Sequence, residues 1–296
     1  MEENSILAPK IKSENIDLIK APLIWEKSKQ GKGRTIAIID SGCEIDHPDL
    51  IENIIGVQNF TSDDDSNPFN VTDYLGHGTH VAGIIASTGK KNKTIGVAPA
   101  SKLLILKVIN KHGVGKYKDL INAIEYSINW KGPEGQKIDV INISLGGNKE
   151  DPKLHEIILK AYQIGIIIVV SAGNYGDGNQ NTDEILYPGY YKEVIQVGAI
   201  NENLKIVESS NSNNQIDFVA PGYRILSTYL NNSYTRLSGT SMAAPHISGG
   251  IALLLNTIKK TKNLSNHDNI YFYLSKLSRP LGYSTKEEGK GLIQLA

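Results

Sequence analysis

Short apolar runs of strand length alternate with helix-patterned segments along most of this chain. The runs lie near residues 35–40, 103–109, 138–143, 166–171 and 194–200, and the helical patterns near 77–87, 117–130, 152–163 and 241–258. In the pattern that starts at Lys116, Leu120, Ile121, Ile124 and Ile128 follow helical spacing. Strands alternating with helices predict an α/β fold, a doubly wound and mostly parallel sheet with helices on both faces. Functional residues in such three-layer folds gather at the carboxyl ends of the strands. A chain of 296 residues suits one large α/β unit. No repeat or linker divides it, so the expected organisation is a short N-terminal segment, 1–18, followed by a single domain, 19–296.

Bulk properties exclude several classes. Lys+Arg and Asp+Glu both number 31, so no basic surplus points to nucleic acid or to an acidic membrane. The single cysteine, Cys43, forbids an intrachain disulfide and fits a reducing compartment. Met1 to Ser5 is acidic and lacks the basic-plus-apolar pattern of a secretory signal. The longest apolar run, 164–170, is too short to span a bilayer. A cytoplasmic protein that engages neither membrane nor nucleic acid is expected.

Three segments carry chemistry. Thr35 to Gly42 is an apolar strand that ends in Asp40 and a Ser-Gly turn. Gly76-His77-Gly78-Thr79-His80-Val81-Ala82-Gly83 opens a helix with a histidine. Gly239-Thr240-Ser241-Met242-Ala243-Ala244-Pro245 places a serine among small residues just before an apolar helical run. A serine hydroxyl becomes a good nucleophile only with a base beside it and donors facing the developing oxyanion. A helix N-terminus favours that negative charge. Asp, His and Ser, in that chain order, have the order of subtilisin, not that of chymotrypsin or the α/β-hydrolases. Each residue taken singly has an ordinary structural role: a turn aspartate, a buried histidine, a serine at a helix start.

The three motifs together resemble those of the subtilisin-like serine proteases, peptidase family S8. The resemblance extends over nearly the whole chain, through His47-Pro48-Asp49-Leu50, Gly96-Val97-Ala98-Pro99, Ser144-Leu145-Gly146-Gly147, Ser171-Ala172-Gly173-Asn174 and Val219-Ala220-Pro221-Gly222. Asp40-Ser41-Gly42-Cys43 and Gly173 to Gly178 are similar to intracellular subtilisins, and cytosolic lantibiotic leader peptidases look similar too. The resemblance implies Ser241 as nucleophile, His77 as base and then acid, and Asp40 as the group that orients the imidazole. It implies Asn174 as a side-chain donor of the oxyanion hole, paired with the Ser241 N–H. Gly113, Val114 and Gly115, facing Ser144, Leu145 and Gly146, match the edges between which the family holds an extended peptide. The pocket for the residue before the cut would lie between Ser144–Gly146, Ser171, Ala172, Gly173 and Leu186. An inward acid from Asp183 or Glu184 would select Lys or Arg there; a solvated acidic loop is the plainer expectation.

The chain also departs from the family. Many relatives bind calcium through the aspartate of His-Pro-Asp-Leu, here Asp49, and a loop after the histidine helix. The position of that loop's asparagine ligand falls on Lys90, whose ammonium would repel the cation. The site is therefore expected to be lost, with a lysine charge in its place. Asp63 and Asp65 form a weaker candidate, and no cofactor is expected for catalysis. His80, three residues after His77, has no third ligand to make a metal site; His47 and His246 read as structural, His112 and His155 as surface residues. Ile6-Leu7-Ala8-Pro9 is a faint echo of the inhibitory extension of intracellular relatives.

The function expected is a serine endopeptidase acting on a peptide or protein bound as a strand. Selective processing, such as removal of a leader from a lantibiotic-type precursor, is weighed first, because an unrestrained cytosolic protease is a hazard. General intracellular protein turnover follows closely. An inactive peptide-binding module would not need all of Asp40, His77, Ser241 and Asn174. A nucleotide-binding protein fails because the third glycine of its fingerprint is absent after Gly76-His77-Gly78. The oligomeric state has no signal in the sequence.

Overall fold

A computed structural model describes residues 14–258 and 266–296. The strands are β1 (Thr35–Asp40), β2 (Ile54–Asn59), β3 (Lys102–Lys107), β4 (Val140–Ile143), β5 (Ile167–Ser171), β6 (Ile195–Ile200), β7 (Ile216–Pro221), β8 (Ile225–Tyr229) and β9 (Ser233–Leu237). The helices are α1 (Glu14–Leu18), α2 (Trp25–Ser28), α3 (His77–Ala86), α4 (Tyr117–Asn129), α5 (Pro152–Gln163), α6 (Thr240–Leu254), α7 (Asn266–Leu277) and α8 (Thr285–Glu288). Seven strands form one sheet in the order β2-β3-β1-β4-β5-β6-β7, and every pairing in it is parallel. β8 and β9 form a separate antiparallel hairpin.

The central strands are apolar on both faces because both faces are covered. In β1, Ile36 and Ile38 join the core under α3, α6 and α7, while Ala37 and Ile39 join the core under α4 and α5. Neighbouring strands repeat the alternation, with Leu103 and Ile105 on the first side and Leu104 and Leu106 on the second. α4 and α5 keep one face in water. α6 is buried along its whole length, which explains its almost uniformly small and apolar sequence. α5 begins where Asp151 accepts the N–H groups of Lys153 and Leu154 at 2.9 and 3.0 Å, with Pro152 at its first position.

β1 lies between β3 and β4, so the carboxyl ends of three central strands converge. Asp40 ends β1, opposite Lys107, which ends β3. Ser144 follows β4, and Ser171 ends β5. Four regions lack a strand expectation: β2, β7 and the two strands of the hairpin. Of the N-terminal segment, residues 1–13, including Ile6 to Pro9, lie outside the described residues.

Candidate active site

Asp40 is buried at the end of β1, and its Oδ1 accepts the Ser41 N–H at 2.7 Å. His77 Nδ1 lies 2.7 Å from the same oxygen. A carboxylate can only accept, so Nδ1 carries the proton and Nε2 is the free acceptor. Burial lowers the His77 pKa, but the Asp40 charge and hydrogen bond, helped by Asp73, more than offset this, so it lies above the ordinary imidazole value.

His77 opens α3 after Gly76, whose φ of 76° a side chain would strain. Gly76 has no side chain with which to cap the helix. Buried Asp73 does so instead: Oδ1 accepts Gly76 N at 2.8 Å and Ser41 Oγ at 2.9 Å, and Oδ2 accepts Thr79 N at 2.9 Å and Thr79 Oγ1 at 2.7 Å. Ser41 Oγ in turn accepts Gly78 N at 3.0 Å. One carboxylate thereby joins the turn after Asp40 to the turn that carries His77. Beneath it, Lys107 is fully buried; its Nζ donates to Ser41 O at 2.8 Å and Ile109 O at 3.0 Å and lies 3.3 Å from Asp63 Oδ2. Sequence reasoning did not single out Asp73 or Lys107. The signal for Lys107 is a charge in the middle of the apolar run 103–109, at the end of β3.

Ser241 is the second residue of α6, which packs against α3. Its N–H therefore has no carbonyl four residues back within the helix. Its Oγ donates to Ser144 O at 3.2 Å, and among the described residues this, not a bond to His77, is the hydrogen bond it makes. Asn174 Oδ1 accepts Thr240 N at 2.9 Å and Thr240 Oγ1 at 3.2 Å. With the oxygen fixed in this way, the Nδ2 donors of the exposed Asn174 remain available. Gly173 N donates to Thr240 Oγ1 at 3.0 Å, tying the end of β5 to the start of α6.

The segments flanking this centre are also placed. Gly113, Val114 and Gly115 form a turn closed by an antiparallel bridge from Gly115 to Ile109. Leu145, Gly146 and Gly147 lie across from it, bounding a cavity of about 430 Å³ with Val108 and Tyr117. Ser171, Ala172 and Gly173 are buried behind Asn174. A Cβ on Gly173 would meet Leu186 Cδ1 at 2.6 Å, and one on Gly146 would meet Leu186 Cβ at 3.3 Å. Leu186 therefore occupies the recess between the two glycines. The neighbouring acids turn elsewhere: Asp183 pairs with Lys286 at 2.8 Å, and Glu184 accepts Ser212 N at 2.9 Å.

The residues of the family's calcium site do not fit a cation here. Asp49 is fully buried and both oxygens are used, Oδ1 by Lys91 N at 3.1 Å and Oδ2 by the Tyr234 hydroxyl at 2.7 Å. Lys90 does not replace the ion, contrary to the expectation above; its ammonium pairs with Glu52. A neutral phenol supplies the donor instead, from a hairpin that had no strand expectation. Asp63 faces Lys107 and accepts Lys111 N at 2.7 Å, whereas Asp65 is exposed. Among the described residues no three His, Cys, Asp or Glu side chains are placed to hold a metal. His80 Nε2 lies 2.9 Å from Ile225 O, and burial holds its pKa down at about 4. His155 lies at the surface with its side chain 39% exposed, its ring stacked on Tyr191 at 4.2 Å and Nε2 2.9 Å from Glu193.

A parallel sheet in which an aspartate at a strand end pairs with a histidine at a helix start, beside a serine in the first turn of a second helix, defines a class. Residues 31–284 match the subtilase family, Peptidase_S8, and the chain belongs to that family of serine endopeptidases. It is 48% identical over 285 residues to the intracellular serine protease of Paenibacillus polymyxa, covering 95% of this chain and 84% of that protein. It is 42% identical to the major intracellular serine protease of Bacillus subtilis (strain 168), over 95% of this chain and 87% of the relative. Subtilisin DY of Bacillus licheniformis is 40% identical over 95% of this chain and 96% of its own length.

Proposed function

We propose that Asp40, His77 and Ser241 form the catalytic triad of a serine endopeptidase that cleaves peptide bonds through an acyl-enzyme. The observation that carries this reading is the 2.7 Å contact between His77 Nδ1 and Asp40, which leaves Nε2 as the acceptor of a residue on α3, the helix that packs on α6. Rotation about the Ser241 Cα–Cβ bond moves the hydroxyl from Ser144 O toward that nitrogen; catalytic hydrogen bonds of this kind commonly close only when substrate binds. His77 takes the serine proton, Ser241 attacks the scissile carbonyl, and the Asn174 amide and Ser241 N–H receive the oxyanion. The imidazolium then protonates the leaving amine, and water releases the acyl group by the same route.

The peptide lies as an added strand between Gly113–Gly115 and Ser144–Gly146, its side chain before the cut entering the recess of Gly146, Gly173 and Leu186. The fold works as one peptidase unit over residues 19–296, without a catalytic cofactor and without structural calcium at Asp49. It acts in the cytoplasm in general protein turnover. Two relatives that are intracellular serine proteases support that setting, as does the single cysteine. No helix among the described residues is long and apolar enough to cross a membrane. Leu186 favours a second reading, selective processing such as leader removal from a lantibiotic-type precursor, because it narrows the recess.

A fluorophosphonate probe tests the chemistry. It should label Ser241 in the parent and leave Ser241→Ala unlabelled, and His77→Ala should label far more slowly. An unlabelled Ser241 in folded parent would refute the triad. Casein and a panel of leader-like peptides separate the two roles: rapid casein digestion supports turnover, and cleavage confined to a few peptides supports processing.

A further inference from the structure

α6 contains Pro245. Proline has no N–H, so the carbonyl four residues earlier loses its helical donor. That carbonyl belongs to Ser241. It is buried, and a buried carbonyl without a partner is costly. Ser144 Oγ supplies the missing hydrogen bond, donating to Ser241 O at 3.2 Å. The hydroxyl is itself aimed: Asn142 Nδ2 donates to Ser144 Oγ at 3.0 Å, and Ser248 Oγ donates to Asn142 Oδ1 at 2.8 Å. Asn142 and Ser248 are fully buried and Ser144 nearly so.

All the bonds run in one direction, from Ser248 through Asn142 and Ser144 to Ser241. The path leaves α6 at Ser248, crosses to β4 and returns to α6 two turns earlier. It clips the first two turns of the helix to the end of a central strand. Asn142 is a lone amide inside the apolar β4, where only a fully bonded polar group is tolerated.

We infer that Ser144, oriented by Asn142 and Ser248, is a positioning residue: its hydroxyl replaces the hydrogen bond that Pro245 cannot make and fixes the Ser241 peptide for attack. This inference rests on Ser241 being the nucleophile. The Ser241 N–H and Oγ share a residue with the carbonyl that Ser144 holds, so a loosened carbonyl displaces both. Substrate contacts made by the Ser144 backbone are untouched by loss of its hydroxyl, which separates turnover from binding.

Pro245 provides the test. Steady-state kinetics and the rate of fluorophosphonate labelling are measured for the parent, Ser144→Ala, Pro245→Ala and the double variant. Ser144→Ala should lower kcat and the labelling rate roughly tenfold, with KM changed less than about twofold. In the Pro245→Ala background residue 245 has an N–H for Ser241 O, and the same substitution should cost less than about twofold. Ser248→Ala should lower kcat by about two- to threefold, because it removes the outermost link only. If Pro245→Ala does not fold, Ser144→Thr decides, since it keeps the hydroxyl and should restore kcat relative to Ser144→Ala. An equal loss in both backgrounds, a loss carried by KM, or a threonine no better than alanine overturns the inference. A parent labelled at Ser241 with Ser144→Ala unaffected would sink this inference alone; an unlabelled parent would sink the triad as well.

Discussion

Replacing Lys107 by methionine should destabilise the protein more than most single substitutions. The ammonium is out of water, and three groups depend on it: the carbonyls of Ser41 and Ile109 and the carboxylate of Asp63, itself buried. Methionine fills the same volume but donates nothing. Asp63 would keep one donor, the N–H of Lys111, and would be a buried charge without its counterion. Breaking a buried pair on one side costs about 3–5 kcal/mol. For a chain of this size each kcal/mol moves Tm by about 2 °C, so Lys107→Met should lower Tm by roughly 6–10 °C. Adding Asp63→Asn removes the stranded charge while the amide oxygen still accepts Lys111 N. The double variant should therefore melt about 3–5 °C above Lys107→Met, without reaching the parent, because two carbonyls still lack their donor. The assay is differential scanning fluorimetry in the Ser241→Ala background, which prevents self-digestion, at one scan rate. A single variant within 2 °C of the parent, or a double variant that melts below the single, would refute the reasoning.

Three further outcomes are expected. His77 acts as a base only when neutral, and its pKa is raised in the folded protein, so kcat/KM should fall as pH drops through a midpoint above the free value of about 6.5; a flat profile from pH 5 to 8 contradicts the assignment. A chelator should leave Tm within about 2 °C of its starting value, while Tyr234→Phe, which strands a buried Asp49 oxygen, should cost about 1–3 kcal/mol in a thermal or urea melt. A large chelator effect together with a silent Tyr234→Phe would reverse that account. Leu186→Gly should open the recess between Gly146 and Gly173, raising kcat/KM for a large apolar residue before the cut, relative to alanine, by about tenfold. An unchanged ratio across a peptide library would remove Leu186 from the pocket.

The parts of this fold that could be read in the chain are those set by local periodicity. β1, β4, β5 and β6 are apolar runs, and α4 and α5 show one apolar face, so their positions follow from composition at short range. β7 is interrupted by Asp217 and ends in Pro221, which weakens the pattern. β2 is an edge strand, half-buried and broken by Gly56. The hairpin of β8 and β9 is polar, and its one local signal is the pair Asn231 and Asn232, both at positive φ in the turn, where Glu44 accepts both N–H groups. At the site, motifs name Asp40, His77, Ser241 and Asn174. They do not reveal Lys107, whose partners Ser41 and Asp63 are brought to it by the fold, nor the link from Asp73 to Ser41, although the other partners of Asp73, Gly76 and Thr79, lie only three and six residues on. Asn142 could have been suspected: an amide in the middle of an apolar strand needs partners somewhere.

α3 and α6 share a construction that separates what Asn174 does for stability from what it does for turnover. Each helix is preceded by a glycine, Gly76 or Gly239, at a positive φ of 76° or 141° that a side chain would strain, and a Cβ at Gly76 would also meet the Tyr229 ring at 2.2 Å. Capping is therefore delegated, to Asp73 for α3 and to the Asn174 oxygen for α6. Under the proposed mechanism Asn174 acts through two ends of one amide, the oxygen on Thr240 N and the nitrogen toward the oxyanion. Asn174→Asp keeps an acceptor for the helix and adds a charge that the helix N-terminus favours, so Tm should hold or rise. It removes the donor and sets a negative charge against a developing one, so turnover should fall by at least the 10²–10³-fold typical of a lost oxyanion donor, about 3–4 kcal/mol. Asn174→Ala loses both ends, with a similar fall in turnover and about 1 kcal/mol of cap stability gone as well. Equal destabilisation by the two variants would remove the cap, and an active Asn174→Asp would remove the donor.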